Sequence, residues 1–242
     1  MTTPSDRLPL YHPDYRYPKS ENIYSDKNAA LKGRIYSEND TENLRGKWRE
    51  AFPERLRSPQ TELHLEIGCN AGHVSVEWAK RNPNRAYIGL DWKFKAIHRG
   101  AEKVIKQNVD NLIFFRAHAM RLKYMFGESE LDQIALYFPD PWPKKAHWKH
   151  RFINPQQLKD IHQVLKPGGI FHIKTDHRGY FDWMEEAIAE TKSLWEIHDR
   201  TTDLHAGNPA PEKLEIPDVT LFEKLFIKDG IQINSVRLKA IK

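Results

Sequence analysis

The 242-residue sequence contains one cysteine and no long apolar run, and each absence excludes a class of protein. A single cysteine, Cys69, excludes an intramolecular disulfide framework and a cysteine-rich zinc site. No run of about 18 or more apolar residues occurs, which argues against a membrane span. The N-terminal residues show neither a signal-peptide pattern nor an arginine-rich amphipathic one, so no targeting segment is predicted. These features predict a soluble, cytoplasmic protein.

The charge balance is mildly basic and the mean hydropathy is low. The chain has 38 Lys and Arg against 33 Asp and Glu, a net charge of +5. This surplus permits a polyanionic partner without demanding one. A mean hydropathy of −0.73 predicts that part of the chain is polar and weakly packed. We assign that property to residues 1–59, which are rich in proline and tyrosine, and predict a partly disordered arm with a short helix near 44–52.

The pattern changes at residue 60, where strand-like and helix-like segments begin to alternate. The predicted strands are 62–68, 85–91, 112–117, 131–138, 170–176, 195–200 and 232–240. The predicted helices are 73–81, 93–108, 155–165, 178–192 and 220–228. This alternation indicates an α/β fold with a doubly wound, mostly parallel sheet, and residues 60–242 are predicted to form one domain.

The first two predicted strands end in residues typical of a nucleotide-type site. Glu66, Gly68 and Gly72 form an E-x-G-x-x-x-G pattern after the first strand, and Asp91 closes the second. Ligands of such sheets bind at the carboxyl ends of the strands, where an aspartate can accept both ribose hydroxyls of an adenosine. A dinucleotide and S-adenosylmethionine both fit this layout, and a tight turn without a ligand is the alternative.

The dinucleotide fits the glycine spacing poorly. Its G-x-G-x-x-G fingerprint has Asn70 and His73 at the second and third glycine positions. S-adenosylmethionine has no pyrophosphate and suits the pattern better. Asn70 is acceptable there because asparagine tolerates the left-handed backbone conformation.

The segment after the fourth strand carries the chemistry of a nucleic-acid site. Its sequence is FPDPWPKK, residues 138–145, in which prolines stiffen the backbone on both sides of Asp140. Trp142 offers a stacking face, and four residues are the expected phosphate contacts: Lys144, Lys145, Lys149 and Arg151. Aromatic and basic residues interleaved in this way suit a base with a phosphate nearby. The alternative is a solvated basic loop with Trp142 or Trp148 in the core.

These motifs together resemble the bacterial tRNA (guanine-N7-)-methyltransferase family. The resemblance rests on FPDPWPKK, with LEIG upstream, LKPGG and KTD downstream, and T-x-F-E near the C-terminus. It extends from RGKW at Arg45 to the last strand. It implies a seven-stranded class I methyltransferase sheet, which is Rossmann-like, and a target guanine at position 46 in the variable loop of tRNA.

The resemblance also implies roles for individual residues. The cofactor S-adenosylmethionine is expected to contact six of them: Glu66, Gly68, Gly72, Asp91, His118 and Asp140. Asp140 is also the expected catalytic residue. The tRNA is expected to contact four: Lys144, Asp176, Thr220 and Glu223.

Two departures from the family pattern leave alternatives open. Asn70 replaces a glycine, and His118 stands where an aspartate or asparagine usually contacts the adenine. One alternative is a methyltransferase acting on an exocyclic amine of a base, because Asp140-Pro141-Trp142 loosely resembles that group's motif. Another is a non-catalytic RNA-binding relative that has lost the cofactor. No ligand-like spacing of histidines with carboxylates or cysteine predicts a metal site, and the oligomeric state is not predicted.

Overall fold

The computed structural model describes residues 8–207 and 219–242. The strands of this part are β1 Ile35–Ser37, β2 Leu63–Ile67, β3 Ala86–Asp91, β4 Leu112–Arg116, β5 Leu131–Tyr137, β6 Leu165–Thr175, β7 Trp195–Thr201 and β8 Asn234–Ala240. The helices are α1 Ile23–Ala29, α2 His73–Arg81, α3 Phe94–Lys106, α4 Leu122–Met125, α5 Pro155–Val164, α6 Arg178–Glu190 and α7 Leu221–Lys228. Within the described ranges, no helix is both long and apolar enough to cross a membrane.

The strands form one mixed sheet in the order β1-β4-β3-β2-β5-β6-β8-β7. Strands β1 to β6 are mutually parallel, and β8 runs antiparallel to both β6 and β7. The chain builds outward from β2 through β3 to β4, then returns to the other side of β2 with β5. The topological switch point therefore lies between β2 and β5, as a doubly wound sheet requires.

The central strands carry apolar side chains on both faces of the sheet, and helices cover both faces. On one face, α2 and α3 pack over a cluster that includes Ile97, Val104 and Phe114. On the other face, α4, α5 and α6 bury a larger cluster around Leu65, Ile113 and Phe171. The predicted α/β class and the doubly wound, mostly parallel sheet are confirmed.

The sheet has eight strands in the described residues, where seven are expected. The additional strand is β1, which pairs in parallel with β4 and comes from the segment predicted as an arm. Part of the segment predicted as a partly disordered arm is packed in the structure, since Trp48 and Phe52 lie in the larger cluster and are at most 1% exposed. The expected helix near 44–52 is a single 3-10 turn over Trp48–Ala51. Residues 1–7 of the predicted arm lie outside the described residues.

Candidate active site

The sheet topology brings most of the predicted site residues to one edge. Because β2 to β6 are parallel, their carboxyl ends all lie at the same edge. This edge carries the glycine turn after β2, Asp91 at the end of β3, His118 after β4, Asp140 after β5 and Asp176 after β6. Strand β8 is antiparallel and begins there, which places the preceding helix α7 near the same edge.

The turn between β2 and α2 has three residues with positive φ. Gly68, Asn70 and Gly72 have φ values of 78°, 50° and 65°. A Cβ on Gly72 would lie 2.7 Å from the Phe114 ring, so this glycine is required for packing against β4. A Cβ on Gly68 would meet nothing within 4 Å. The turn therefore leaves open space beside Gly68, and Asn70 adopts the left-handed conformation that its residue type permits.

Glu66 lies beneath this turn and is buried, with 6% of its surface exposed. Its carboxylate accepts hydrogen bonds from the backbone N–H of Ser75, at 3.0 Å, and from the Ser75 hydroxyl. The pKa of Glu66 is raised to about 7, chiefly by burial and to a smaller extent by nearby Asp91, against the opposing effect of the bonds from Ser75. This carboxyl therefore changes its charge near neutral pH.

The raised pKa of Glu66 predicts a pH-dependent stability. Its folded pKa of about 7 exceeds its ordinary value of 4.5, so its contribution is fully present below pH 4.5 and is lost as the pH rises through 7. Glu66→Gln removes the charged form. We compare the free energy of unfolding of the variant with that of wild type at each pH. This difference should favour the variant by roughly 2–3 kcal/mol more at pH 8 than at pH 5. Urea unfolding at the two pH values measures this difference. The exposed Glu50→Gln is the control, and parallel pH profiles for Glu66→Gln and wild type would contradict the assignment.

Asp91 is held in place by two backbone N–H groups. Its Oδ2 accepts from Asn70 at 2.9 Å and its Oδ1 from Lys93 at 2.8 Å. The side chain is only partly buried. A carboxylate has about four lone-pair sites, so two remain for a ligand with vicinal hydroxyls.

Next to Asp91, Trp92 presents a partly covered aromatic surface. The Arg116 guanidinium lies 3.8 Å from the centre of the Trp92 ring, and its Nε donates to the Trp92 carbonyl at 3.0 Å. Even so, 47% of Trp92 is exposed. The ring of His118 contacts Trp92 edge to face, with centroids 5.7 Å apart.

The hydrogen bonds of His118 determine which of its ring nitrogens carries the proton. Nδ1 accepts from the backbone N–H of Met120 at 3.3 Å, so in the neutral ring the proton lies on Nε2. Burial lowers the pKa of His118, which favours this neutral form. The accepting nitrogen is therefore already engaged, and His118 offers a donor at the position where the family usually has an aspartate or asparagine.

The loop after β5 combines an exposed carboxylate with a constrained backbone. Phe138 and Trp142 have φ values of 52° and 45°, which are unfavourable for residues with a Cβ. Phe138 donates its N–H to the Lys174 carbonyl at 2.8 Å, which fixes the start of the loop to β6. Asp140 lies between the two and is exposed. Strained backbone of this kind is concentrated at functional sites.

The basic run after Asp140 contains residues of two kinds. Lys144, Lys145 and Lys149 are exposed, as expected for phosphate contacts. Arg151 is 4% exposed and does not face solvent. Its Nε donates to the Pro141 carbonyl at 2.9 Å, and its guanidinium lies 4.5, 5.0 and 5.2 Å from the ring centres of Trp148, Tyr180 and Trp183. The expectation that Arg151 contacts phosphate is therefore wrong in this structure, because the side chain is buried and its Nε is engaged within the protein.

The T-x-F-E segment begins α7, and its two predicted contact residues are buried. Thr220 and Glu223 form a capping box, in which each side chain binds the other residue's backbone N–H. The Glu223 carboxylate is fully buried and contacts Lys174 Nζ at 3.2 Å and His205 Nε2 at 2.7 Å. Both residues thus anchor α7 near the site, whereas Lys144 is exposed and Asp176 is partly exposed at the end of β6. The contact of all four residues with substrate stays a prediction.

Two other candidate centres receive no support from the geometry. Cys69 is 4% exposed, and burial raises the pKa of its thiol well above the ordinary value, which suits a packing residue more than a nucleophile. Across residues 8–207 and 219–242, no group of three or more histidine, cysteine or acidic side chains is arranged to hold a metal ion.

Comparison with known sequences identifies similar methyltransferases. The family model described as "Putative methyltransferase" matches residues 60–234. A tRNA (guanine-N(7)-)-methyltransferase of Lachnoclostridium phytofermentans is 35% identical over 199 residues, covering 82% of this chain and 88% of the relative. The protein of the same name from Bdellovibrio bacteriovorus is 32% identical over 198 residues, covering 81% of this chain and 90% of the relative.

Comparison with solved structures supports the fold. The 16S rRNA methyltransferase KamB superposes with a TM-score of 0.57 over 79% of this chain and 95% of that chain, at 17% identity. An antibiotic-related methyltransferase gives a TM-score of 0.54 over 93% of this chain and 97% of that chain, also at 17% identity. At this identity the likeness concerns the fold alone, which is that of class I methyltransferases.

Proposed function

We propose, because this chain belongs to the tRNA (guanine-N7-)-methyltransferase family, that it transfers a methyl group from S-adenosylmethionine to N7 of a guanine in tRNA. The observation that carries the proposal is the exposed carboxylate of Asp140. It lies at the end of β5, across the topological switch point from the open glycine turn after β2. The family's variable-loop guanine at position 46 is the proposed target.

The residues at the strand edge fit S-adenosylmethionine. The two backbone bonds to Asp91 leave lone pairs for the ribose hydroxyls, and the space beside Gly68 admits a ligand close to the backbone. The acidic side chains Glu66, Asp91 and Asp140 suit a cofactor with a sulfonium and an ammonium group. When bound, S-adenosylmethionine supplies an activated methyl group on its sulfonium sulfur.

The chemistry requires positioning more than proton transfer. Guanine N7 carries a lone pair and no proton, so its in-line attack on the methyl carbon of a bound sulfonium would need no general base, and the methyl–sulfur bond would break to release S-adenosylhomocysteine. The purine ring gains positive charge as the bond forms. Asp140 accepts hydrogen bonds from the N1–H and amino groups of guanine and stabilises that charge, and Asp176 shares this task. Adenine has no N1 proton, so the same carboxylates disfavour it.

A methylation assay tests the function directly. Unmodified tRNA transcripts are incubated with the enzyme and labelled S-adenosylmethionine, and the modified base is mapped. We expect N7-methylguanine at position 46, and no product from a transcript with adenine at that position. A methyl group on an exocyclic amine would favour the alternative methyltransferase, and cofactor binding without transfer would contradict the proposal.

The segment that follows β5, residues 138–151, is called the Asp140 loop here. Its exposed lysines, Lys144, Lys145 and Lys149, predict a salt-dependent affinity for tRNA. Extruding a structured guanine costs about a few kcal/mol, which phosphate contacts offset. We expect the logarithm of the binding constant to fall linearly with the logarithm of salt concentration. The magnitude of this slope should decrease by about one for Lys145→Ala or Lys149→Ala. Filter binding over a salt series measures these slopes.

The control for the salt series is Lys192→Ala. Lys192 is exposed and precedes β7, at the edge of the sheet opposite the site. Its substitution should leave the slope unchanged. A flat salt profile for the wild-type protein would show that the basic loop is only a solvated surface.

A further inference from the structure

The N-terminal segment, residues 8–18, docks on the domain next to the predicted adenine end of the site. The buried Arg121 donates from Nη1 to the carbonyls of Leu10, at 2.7 Å, and His12, at 2.9 Å. The Tyr124 hydroxyl donates to the Tyr11 carbonyl at 2.7 Å. These bonds bring the N-terminal segment against the residues that follow β4.

Tyr17 is the residue of this segment that contacts the site. It is 7% exposed, and its hydroxyl accepts from the backbone N–H of His118 at 3.0 Å. Its ring lies 5.9 Å from that of Trp92, centre to centre. Its own N–H donates to Asn39 at 3.2 Å. One side chain therefore contacts both His118 and Trp92, the residue that follows Asp91.

His118 has one ring nitrogen left for a ligand. Nδ1 is engaged by Met120, and Nε2 has no hydrogen-bond partner among the residues that the structure describes. In the neutral ring Nε2–H is a donor. The ring nitrogens of adenine are acceptors, whereas its exocyclic amine is a donor. The matching contact is therefore from His118 Nε2–H to a ring nitrogen of the adenine.

We propose that Tyr17 is a positioning residue of the cofactor site, which holds His118 so that its Nε2–H donates to a ring nitrogen of adenine. The proposal rests on the proposed function, since it assumes that S-adenosylmethionine binds at this edge. Tyr17 acts through the backbone of His118 and does not itself contact the cofactor. It lies outside residues 60–234, the part that the family model matches, so this support for the site comes from the chain's own N-terminal segment.

A double-mutant cycle on cofactor binding tests the proposal. The ligand is S-adenosylhomocysteine, and its Kd is measured by calorimetry for wild type, Tyr17→Phe, His118→Ala and the double variant. Tyr17→Phe removes the acceptor but keeps the ring. We expect it to weaken binding about three- to tenfold, as expected for the loss of one hydrogen bond. In the His118→Ala background, Tyr17→Phe should cause no further loss, because no imidazole remains to be positioned.

The control is Tyr24→Phe, in α1. The Tyr24 ring packs on His98, 5.3 Å away, and lies outside the cluster of Tyr17, Trp92 and His118. It should leave the Kd unchanged. In steady-state assays, Tyr17→Phe should raise KM for S-adenosylmethionine and leave KM for tRNA unchanged, a difference that general loosening of the fold does not produce. Thermal unfolding verifies that each variant is folded.

The possible failures can be distinguished. Wild-type binding with an unchanged Kd for Tyr17→Phe overturns the inference and leaves the proposed function intact. A full additional loss in the His118→Ala background also overturns it, since Tyr17 would then act independently of His118. Absence of binding by the wild-type protein overturns both the inference and the proposed function.

Discussion

Asp140→Ala is expected to lose nearly all methyl transfer activity while the protein remains folded. The carboxylate is exposed at the end of β5, so its removal leaves no buried group unsatisfied. What is lost is the acceptor for the guanine edge and the negative charge beside a ring that becomes positive. Removing one such electrostatic group lowers kcat about a hundred- to a thousandfold. Single-turnover methylation of unmodified tRNA, with cofactor and tRNA both saturating, measures the effect on the chemical step.

Two further variants make the result specific to Asp140. Asp140→Asn keeps the shape of the side chain but places an amide donor near the donors of guanine. We expect its methylation rate to be close to that of Asp140→Ala. Asp199→Ala removes a carboxylate on β7, where it pairs with Arg237 at 3.2 Å, and should retain full activity because such surface pairs contribute little. Near-wild-type turnover by Asp140→Ala would exclude the proposed role.

The edge of the sheet could be predicted from the sequence because the required signals are local. Strands β2, β3 and β5 are short, mostly apolar runs that end next to Gly68, at Asp91 and two residues before Pro139, and this pattern is readable within a few residues. Parallel pairing then places Gly68, Asp91 and Asp140 at one edge without further information. The left-handed conformation of Asn70 follows in the same way from residue type and position.

The role of the N-terminal segment could not be predicted, because its contacts are distant in sequence. Tyr17 bonds to His118, 101 residues away, and neither residue has a neighbour that indicates the pairing. Strand β1 is only three residues long, too short for apolar alternation to be recognised. Proline and tyrosine content predicts a polar arm, whereas tertiary packing places Trp48 and Phe52 in the core.

The structure separates basic and acidic residues by exposure, which the sequence alone does not show. Glu223 carries a substrate-binding role by resemblance, yet its carboxylate is fully buried against Lys174 and His205. Arg151 follows three exposed lysines and has the same charge, so sequence offers no reason to separate it from them. Its distinction comes from Trp148, Tyr180 and Trp183, which the fold assembles from the Asp140 loop and α6.

Arg151→Ala is the second variant for which we expect a large effect, and the effect should fall on kcat. The Nε bond to Pro141 ties the loop that carries Asp140 to a rigid aromatic cluster. Without it, Phe138 and Trp142 can relax from their unfavourable positive φ values and move the carboxylate. A misplacement of about 1 Å can reduce a rate about a hundredfold. Since Arg151 is buried, KM for tRNA and the salt slope should change little.

Arg151→Lys separates positioning from charge. Lysine keeps the positive charge but cannot reproduce the planar guanidinium that stacks among three rings and bonds to Pro141. If Arg151 positions the loop, Arg151→Lys loses kcat nearly as severely as Arg151→Ala. If Arg151 contacts phosphate, lysine restores most of the activity, and Arg151→Ala raises KM and flattens the salt slope as Lys149→Ala does. Because Arg151 is 4% exposed and Lys149 is exposed, the structure favours the first outcome, in which the two cations of one basic run act on different kinetic constants.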